Sequence, residues 1–255
     1  MQRVNYDAIA EGYDEPLRDH SVDPNLIEFL EEFRGIAHAD TPILDVGCGT
    51  GKQLAANKAQ FPGLPMTGLD LFRGMLTIAR KRRPDISWVH GDGAALPFRG
   101  DSFVYACNQF SYPHVREKEK MFREIWRVLR PGGRFVLTNI DPWSMPDWIV
   151  YRFFPTAREL DYNDFLPADT LGSLFEDTGF IRVRVHHRHW VNRQELGEFL
   201  RYAMQRHRTS QFMAIPDKDY LSGIEQLKHT CADARENELV VDSGFCLVTV
   251  RGDKP

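Results

Sequence analysis

The sequence predicts an α/β fold: a doubly wound, mostly parallel seven-stranded sheet with helices on both faces and a small helical cap. Three observations predict it. Short apolar runs alternate with helical patterns from residue 41 to residue 140. The first of those runs ends in three glycines at alternate positions, Gly47, Gly49 and Gly51. A strong turn signal, Arg130-Pro131-Gly132-Gly133, separates an amphipathic helix from the strand after it. Strands and helices alternating at this spacing imply right-handed crossovers and a parallel sheet.

The elements follow in order. The first forty residues read as one or two helices. Residues 42–46 (Pro-Ile-Leu-Asp-Val) form a short apolar run, as a strand buried on both faces requires. A helix over 54–61 ends before Pro62. Strands are expected at 65–70, 86–90, 103–108 and 134–140, with a helix over 74–81 between the first two. The helix over 118–129 places Met121, Ile125, Val128 and Leu129 on one face. Residues 142–166 are rich in Trp, Tyr, Phe and Pro and carry no clean period. Beyond them the pattern gives a helix over 167–177, a strand over 180–191, helices over 194–206 and 217–237, and a last strand over 239–251.

Composition excludes several classes. The chain has 255 residues, 42% of them hydrophobic and 27% charged, enough for one large α/β domain with a cap. No apolar stretch reaches the roughly 18 residues of a membrane span, and the polar, acidic start has no secretory h-region. The four cysteines, Cys48, Cys107, Cys231 and Cys246, show no metal or disulfide spacing, so reduced thiols in a cytoplasmic protein are expected. The net charge of −4 argues against a grip on nucleic acid. The one basic run, Arg80-Lys81-Arg82-Arg83, reads as a solvated helix C-terminus. In His186-His187-Arg188-His189 two histidines share a strand face, but no Cys or carboxylate is adjacent in sequence, and Arg188 would repel a cation. No metal is expected.

The most informative segment is Leu44-Asp45-Val46-Gly47-Cys48-Gly49-Thr50-Gly51-Lys52. Alternate glycines allow positive φ and clear Cβ atoms from a ligand's path, and the helix that follows presents its unbonded N–H groups. A P-loop needs four residues between its first Gly and Gly-Lys, then Ser or Thr. Here three intervene and Gln53 follows. A dinucleotide fingerprint needs a third glycine where Lys52 stands. The pattern left, D-x-G-x-G-x-G, resembles motif I of the class I methyltransferases. That resemblance implies a Rossmann-like methyltransferase fold and S-adenosylmethionine as cofactor, with S-adenosylhomocysteine as product. It also implies that Asp45, Gly47, Cys48, Gly49 and Gly51 face the methionine part.

Further positions support the resemblance. Asp70 ends the second strand, nineteen residues after Gly51, where a carboxylate can accept from both ribose hydroxyls. Residues 91–98 (Gly-Asp-Gly-Ala-Ala-Leu-Pro-Phe) resemble the family's G-D-A-x-x-L-P-F segment. This implies that Asp92 accepts from the adenine amino group, that a backbone N–H at Gly93 or Ala94 donates to the ring, and that Leu71 and Met75 pack on its faces. Residues 128–135 match the family's turn before the fifth strand. The lead-in Tyr6-Asp7-Ala8-Ile9-Ala10-Glu11-Gly12-Tyr13-Asp14 resembles Y-D-x-x-A-x-x-Y-D, whose tyrosines fold over the cofactor as a lid; packing of Tyr6 and Tyr13 on the core is the other reading. The resemblance covers about residues 5–141 and is closest to small-molecule methyltransferases such as those of quinone biosynthesis. One departure is Phe103-Val104, where the family often has Phe-Asp.

Ligands of open α/β sheets bind beyond the carboxyl ends of the strands. There the fourth strand runs into Asn108-Gln109-Phe110-Ser111-Tyr112-Pro113-His114. Asn108 and Gln109 are expected to line the cofactor. His114 is the best candidate base, since its ordinary pKa lies near neutrality, and Tyr112 is a candidate to orient the acceptor. A purely structural role stays open for both. The segment lacks the Asn-Pro-Pro-Tyr signature of nucleobase methylation. Trp143, Trp148, Tyr151, Phe153 and Phe154 are equally readable as an acceptor pocket or as the core of a cap.

The chain thus divides into a helical lid (1–40), a cofactor-binding core (41–141), a cap or insertion (142–237) containing the strand 180–191, and a last strand (238–255). The expected function is methyl transfer to an O, N or C nucleophile of a small metabolite, with no nucleic-acid or membrane partner. A cofactor-binding, non-methylating or regulatory member of the fold is the alternative, and a nicotinamide oxidoreductase is disfavoured by Lys52. The acceptor and the oligomeric state are not readable from the sequence.

Overall fold

A computed structural model describes residues 4–13, 21–32, 40–233 and 239–255. Asp14, the parts of the expected lid at 14–20 and 33–39, and the end of the expected helix at 234–237 lie outside them. The helices are α1 (Pro24–Glu32), α2 (Lys52–Gln60), α3 (Arg73–Arg82), α4 (Lys118–Val128), α5 (Ile149–Phe153), α6 (Pro155–Asp164), α7 (Ala168–Thr178), α8 (Leu196–Ala203), α9 (Ser210–Ala214) and α10 (Asp217–Asp233). The strands are β1 (Ile43–Val46), β2 (Met66–Asp70), β3 (Ser87–His90), β4 (Phe103–Gln109), β5 (Leu129–Ile140), β6 (Ile181–Glu195) and β7 (Val240–Asp253). None of the described helices is long and apolar enough to cross a membrane.

The strands form one seven-stranded sheet in the order β3-β2-β1-β4-β5-β7-β6. The first five pair in parallel, with Asp45 beside Gly68 on one side and Cys107 on the other. β7 runs against β5: Gly132 N–H donates to Lys254 O, and Asp141 N–H to Cys246 O. The sheet expected from the sequence is therefore present, with the reversed strand inserted near one edge.

Two compact units emerge from the chain's packing. The first comprises Tyr6–Asn139, Ala168–His186 and Thr249–Pro255. Here β1 is buried along its whole length, because helices cover both sheet faces. Leu26 and Phe29 of α1, Leu54 of α2 and Leu76 of α3 pack with Ile43, Met66 and Tyr105 on one face. On the other, Phe122 of α4 meets Phe135 edge-on, and Phe175 of α7 stacks on Phe135 at 4.9 Å. The expected turn at 130–133 lies within β5 as a register break between the Phe103–Leu129 and Tyr105–Arg134 pairs. Gly132, at φ +78, lets the chain double back there.

The second unit is built chiefly from Ile140–Pro167 and His187–Val248. Residues 142–166, which have no period in sequence, fold into a 3₁₀ turn, α5 and α6. Two short helices in succession are too brief to show a 3.6-residue repeat. Phe154 packs against Phe212 at 4.8 Å and stacks on Tyr220. Gly223 of α10 sits where a Cβ would lie 2.5 Å from the Phe154 ring. Asp161 is buried, accepts from Tyr151 Oη at 2.7 Å and from Gln211 Nε2, and burial pushes its carboxyl up to about 7.

Candidate active site

The glycine loop joins β1 to α2, and its glycines answer different demands. All three have positive φ: +81 at Gly47, +54 at Gly49 and +74 at Gly51. At Gly47 a Cβ would lie 2.1 Å from Ser111 Oγ, so the space is already filled by the β4 loop. At Gly51 it would strike the Trp88 ring. At Gly49 it would meet nothing within 4 Å. That glycine opens onto free space at the mouth of a helix whose N-cap, Gly51, has no side chain to offer.

Asp70, at the end of β2, braces the loop. Its Oδ2 accepts from Gly49 N–H at 2.8 Å and its Oδ1 from Phe72 N–H at 2.8 Å. The carboxyl is buried, which raises its pKa, and the N–H donors oppose that rise. Leu71 N–H adds to these donors, and the carboxylate as a whole, with about four acceptor sites, keeps capacity for a further donor. Gly47 and Cys48 N–H both donate to Leu69 O, locking the loop against β2.

Asp45 lies beneath this loop, 3% exposed. Burial pushes its carboxyl up to about 7, helped by the nearby charges of Asp23 and Asp70 and opposed by a hydrogen bond with Cys107. Cys48 is buried beside Gly68. Asp92 is exposed; its Oδ1 accepts from Ala94 N–H at 2.9 Å, while Gly93 packs under Val46. The Glu124–Arg127 pair holds the rest of that segment by bonding Leu96 N–H, Leu96 O and Phe98 O. Met75 is buried and Leu71 half-buried.

At the end of β4, Asn108 is fully buried and committed to internal bonds. Its Nδ2 donates to Val46 O and Ser111 Oγ, and its Oδ1 accepts from Tyr112 N–H. Gln109 Nε2 donates to Asp23 Oδ2, which also takes the Tyr105 hydroxyl. Tyr112 is fully buried, in the 3₁₀ turn that carries the half-buried His114. Tyr6 Oη lies 3.0 Å from His114 Nε2. Tyr6 also meets Tyr13 and Phe72 edge-on. Asp7 Oδ1 accepts from Gly74 N–H at 2.6 Å, anchoring the N-terminal 3₁₀ segment Tyr6–Gly12 on the start of α3.

The structure thus gathers the glycine loop, Asp70, Asp45, Asn108, Gln109, Tyr6, Tyr13, Tyr112 and His114 within the first unit. Asp23 and Ser111 are parts that sequence reasoning missed. Ser111 lies sixty-four residues from the Gly47 whose missing Cβ it replaces, and no local pattern signals such a pairing. In the second unit, Tyr151, Phe153 and Phe154 are buried, whereas Trp143 stacks on Tyr162 and Trp148 lies edge-on to Tyr151. The fold supplies the histidine run with neighbours absent from the adjacent sequence: His187 Nε2 sits 2.9 Å from Asp141 Oδ2, and His189 Nε2 3.7 Å from Cys246 Sγ. Among the described residues no group of three such side chains is placed to hold a metal.

Comparison with known proteins adds to this geometry. Residues 44–137 match the family described as methyltransferase domain. A demethylmenaquinone methyltransferase of Renibacterium salmoninarum is 30% identical over 158 residues, which is 62% of this chain and 63% of that protein, a little under two thirds of its length. The corresponding protein of Staphylococcus aureus is 31% identical over 169 residues, 57% of this chain and 70% of its own. Among solved structures, a methyltransferase assigned to antibiotic biosynthesis in Anabaena variabilis superposes with a TM-score of 0.68 at 20% identity, over 91% of this chain and 99% of that one. A Haemonchus contortus phosphoethanolamine N-methyltransferase in complex with S-adenosylhomocysteine gives 0.60 at 19% identity, over 98% of this chain and 57% of that one. At these identities the structural likeness is one of fold.

Proposed function

Since this chain belongs to the class I S-adenosylmethionine-dependent methyltransferases, we propose that it moves a methyl group to an O, N or C nucleophile of a small metabolite by in-line displacement. The observation that carries the reading is the space at Gly49. A left-handed glycine opens onto a free cradle, and its own N–H is held by an Asp70 carboxylate with acceptor capacity to spare. An acceptor beside open space fits a nucleoside whose two vicinal hydroxyls donate and which carries a slim aliphatic chain.

On this reading Asp70 takes the ribose hydroxyls, and Gly47, Cys48, Gly49 and Gly51 shape the seat of the methionine part over Asp45. Asp92, Gly93 and Ala94 face the adenine edge, with Leu71 and Met75 against its faces. Asn108 and Gln109 act as positioning residues, holding the β4 loop to Val46 and to Asp23. Tyr13 and Tyr6, on the segment pinned by Asp7, close over the site and exclude water. When bound, S-adenosylmethionine supplies a methyl carbon already activated by a sulfonium. Alignment is then the main demand on the protein, and a base is needed only when the nucleophile must shed a proton. His114 accepts that proton, with its ring held by the Tyr6 hydroxyl. Tyr112 sets the turn that aims the ring. The acceptor is a small molecule met in the cytoplasm, where thiols such as the four free cysteines stay reduced.

The test is calorimetric titration with S-adenosylhomocysteine, with NAD as the control. Binding of the former alone is expected. Binding of neither, or of NAD, would overturn the reading. Binding without turnover on any acceptor would favour a regulatory member of the family.

A further inference from the structure

Among the described residues three other than glycine have positive φ: Asp101, Phe110 and Arg182. Asp101 is a short polar residue, which tolerates this conformation best, and Arg182 is tied by its guanidinium to Asp253. Phe110 stands apart. It has φ +57 and an aromatic side chain that stays 50% exposed. A left-handed backbone is unfavourable for a bulky residue, and an exposed ring recovers little by burial. A glycine here would avoid both penalties.

The neighbours impose the conformation. Phe110 N–H donates to Thr138 O at 3.0 Å, continuing the β4–β5 ladder. On the other side, Ser111 Oγ donates to Val46 O at 3.1 Å and fills the space against Gly47. Tyr112 N–H is bound by Asn108 Oδ1. Asn108 and Ser111 are both bonded to Val46 O of β1 and Phe110 N–H to β5, so residue 110 bulges between them, next to the Ser111 that abuts Gly47, and its ring stays half exposed at the carboxyl end of β4. Strain held by such over-determined surroundings is typical of ligand-contacting positions.

We propose that Phe110 is a specificity-determining residue whose ring stacks on the flat, conjugated face of the methyl acceptor. The proposal rests on the methyltransferase reading and goes beyond it by assigning the acceptor's chemical class. A bare phenyl face offers offset or edge-on contact to a planar ring, and no hydrogen bond to a polar chain. The other chemistry such a face accepts is an ammonium group.

The experiment uses the full chain saturated with S-adenosylhomocysteine, and measures binding of 1-naphthol as the flat probe and phosphoethanolamine as the ammonium probe. Wild type is expected to bind 1-naphthol. Phe110→Ala and Phe110→Gly are each expected to weaken it roughly tenfold, and Phe110→Tyr to retain it, with affinity for S-adenosylhomocysteine unchanged throughout. Thermal unfolding supplies a second readout. Phe110→Gly should melt about 2–4 °C above Phe110→Ala, because only glycine relieves the backbone. Equal 1-naphthol affinity in wild type and Phe110→Ala would overturn the proposal, as would binding of phosphoethanolamine in place of 1-naphthol. In both cases retained S-adenosylhomocysteine binding leaves the methyltransferase reading standing. Failure of wild type to bind S-adenosylhomocysteine would overturn both.

Discussion

Replacing Asp45 with Asn should stabilise the protein at neutral pH, by an amount that depends on pH. The Asp45 carboxyl is 3% exposed, and burial pushes its pKa from 3.8 to about 7. The folded state therefore holds a proton that the unfolded state releases between those values. For such a group the stabilising contribution is complete below 3.8 and is lost as pH rises through about 7. Each pH unit in that window changes stability by about 1.4 kcal/mol, so the full loss is about 4 kcal/mol. Asparagine keeps the shape and an oxygen that can accept from Cys107, but carries no charge to desolvate. The variant's advantage should be about 1.5 kcal/mol at pH 5 and about 4 kcal/mol at pH 8. In a chain of this size that difference widens the melting-temperature gap by roughly 5–10 °C between the two pH values. Asp161 titrates in the same range, but it is present in both proteins and cancels in the difference. Scanning calorimetry of the two proteins from pH 5 to pH 8 is the assay. A gap that stays constant with pH, or has the opposite sign, would refute the assignment of a buried, proton-holding carboxyl beneath the loop.

Other expectations bear on the site directly. Asp70→Ala should weaken S-adenosylhomocysteine about a hundredfold in calorimetry, since two hydrogen bonds to a charged acceptor are lost; unchanged affinity would remove the ribose assignment. Gly49→Ala and Gly47→Ala should diverge. The first adds a methyl group to open space, so cofactor affinity should fall at least tenfold with a melting-temperature loss of only a few degrees. The second drives a methyl group into Ser111, so its main effect should be a large loss of stability in a thermal melt. His114→Ala should lower kcat about a hundredfold or more for an acceptor that must lose a proton, with S-adenosylhomocysteine affinity intact; full turnover would exclude His114 as base. Tyr6→Phe, which keeps the ring and deletes the hydroxyl, should lower kcat and shift the acidic pH limb of turnover, where protonation disables a base. An unchanged pH profile would show that the Tyr6–His114 bond has no part in the chemistry.

The sequence by itself determined the parts of the molecule that depend on local periodicity and on residue type at fixed spacing. The short, mostly apolar run of β1, the alternate glycines and the acid at the end of β2 specify a strand, a loop and an acceptor within thirty residues. Each is a short-range consequence of backbone sterics and hydrogen bonding. Tertiary structure decided what those residues do. Only folding divides the glycine labour, putting Ser111 against Gly47 and leaving Gly49 open. Only folding commits the side chain of Asn108 to Val46 and Ser111, buries Tyr112, and sets the Tyr6 hydroxyl on His114, 108 residues away along the chain. The second unit was least legible because α5 and α6 are too short to declare a period, and the burial of Tyr151, Phe153 and Phe154 comes from helices further along the chain. The strain at Phe110 was invisible for the same reason. A left-handed φ on an ordinary residue is imposed by hydrogen bonds to other strands, and the strand sequence carries no mark of them.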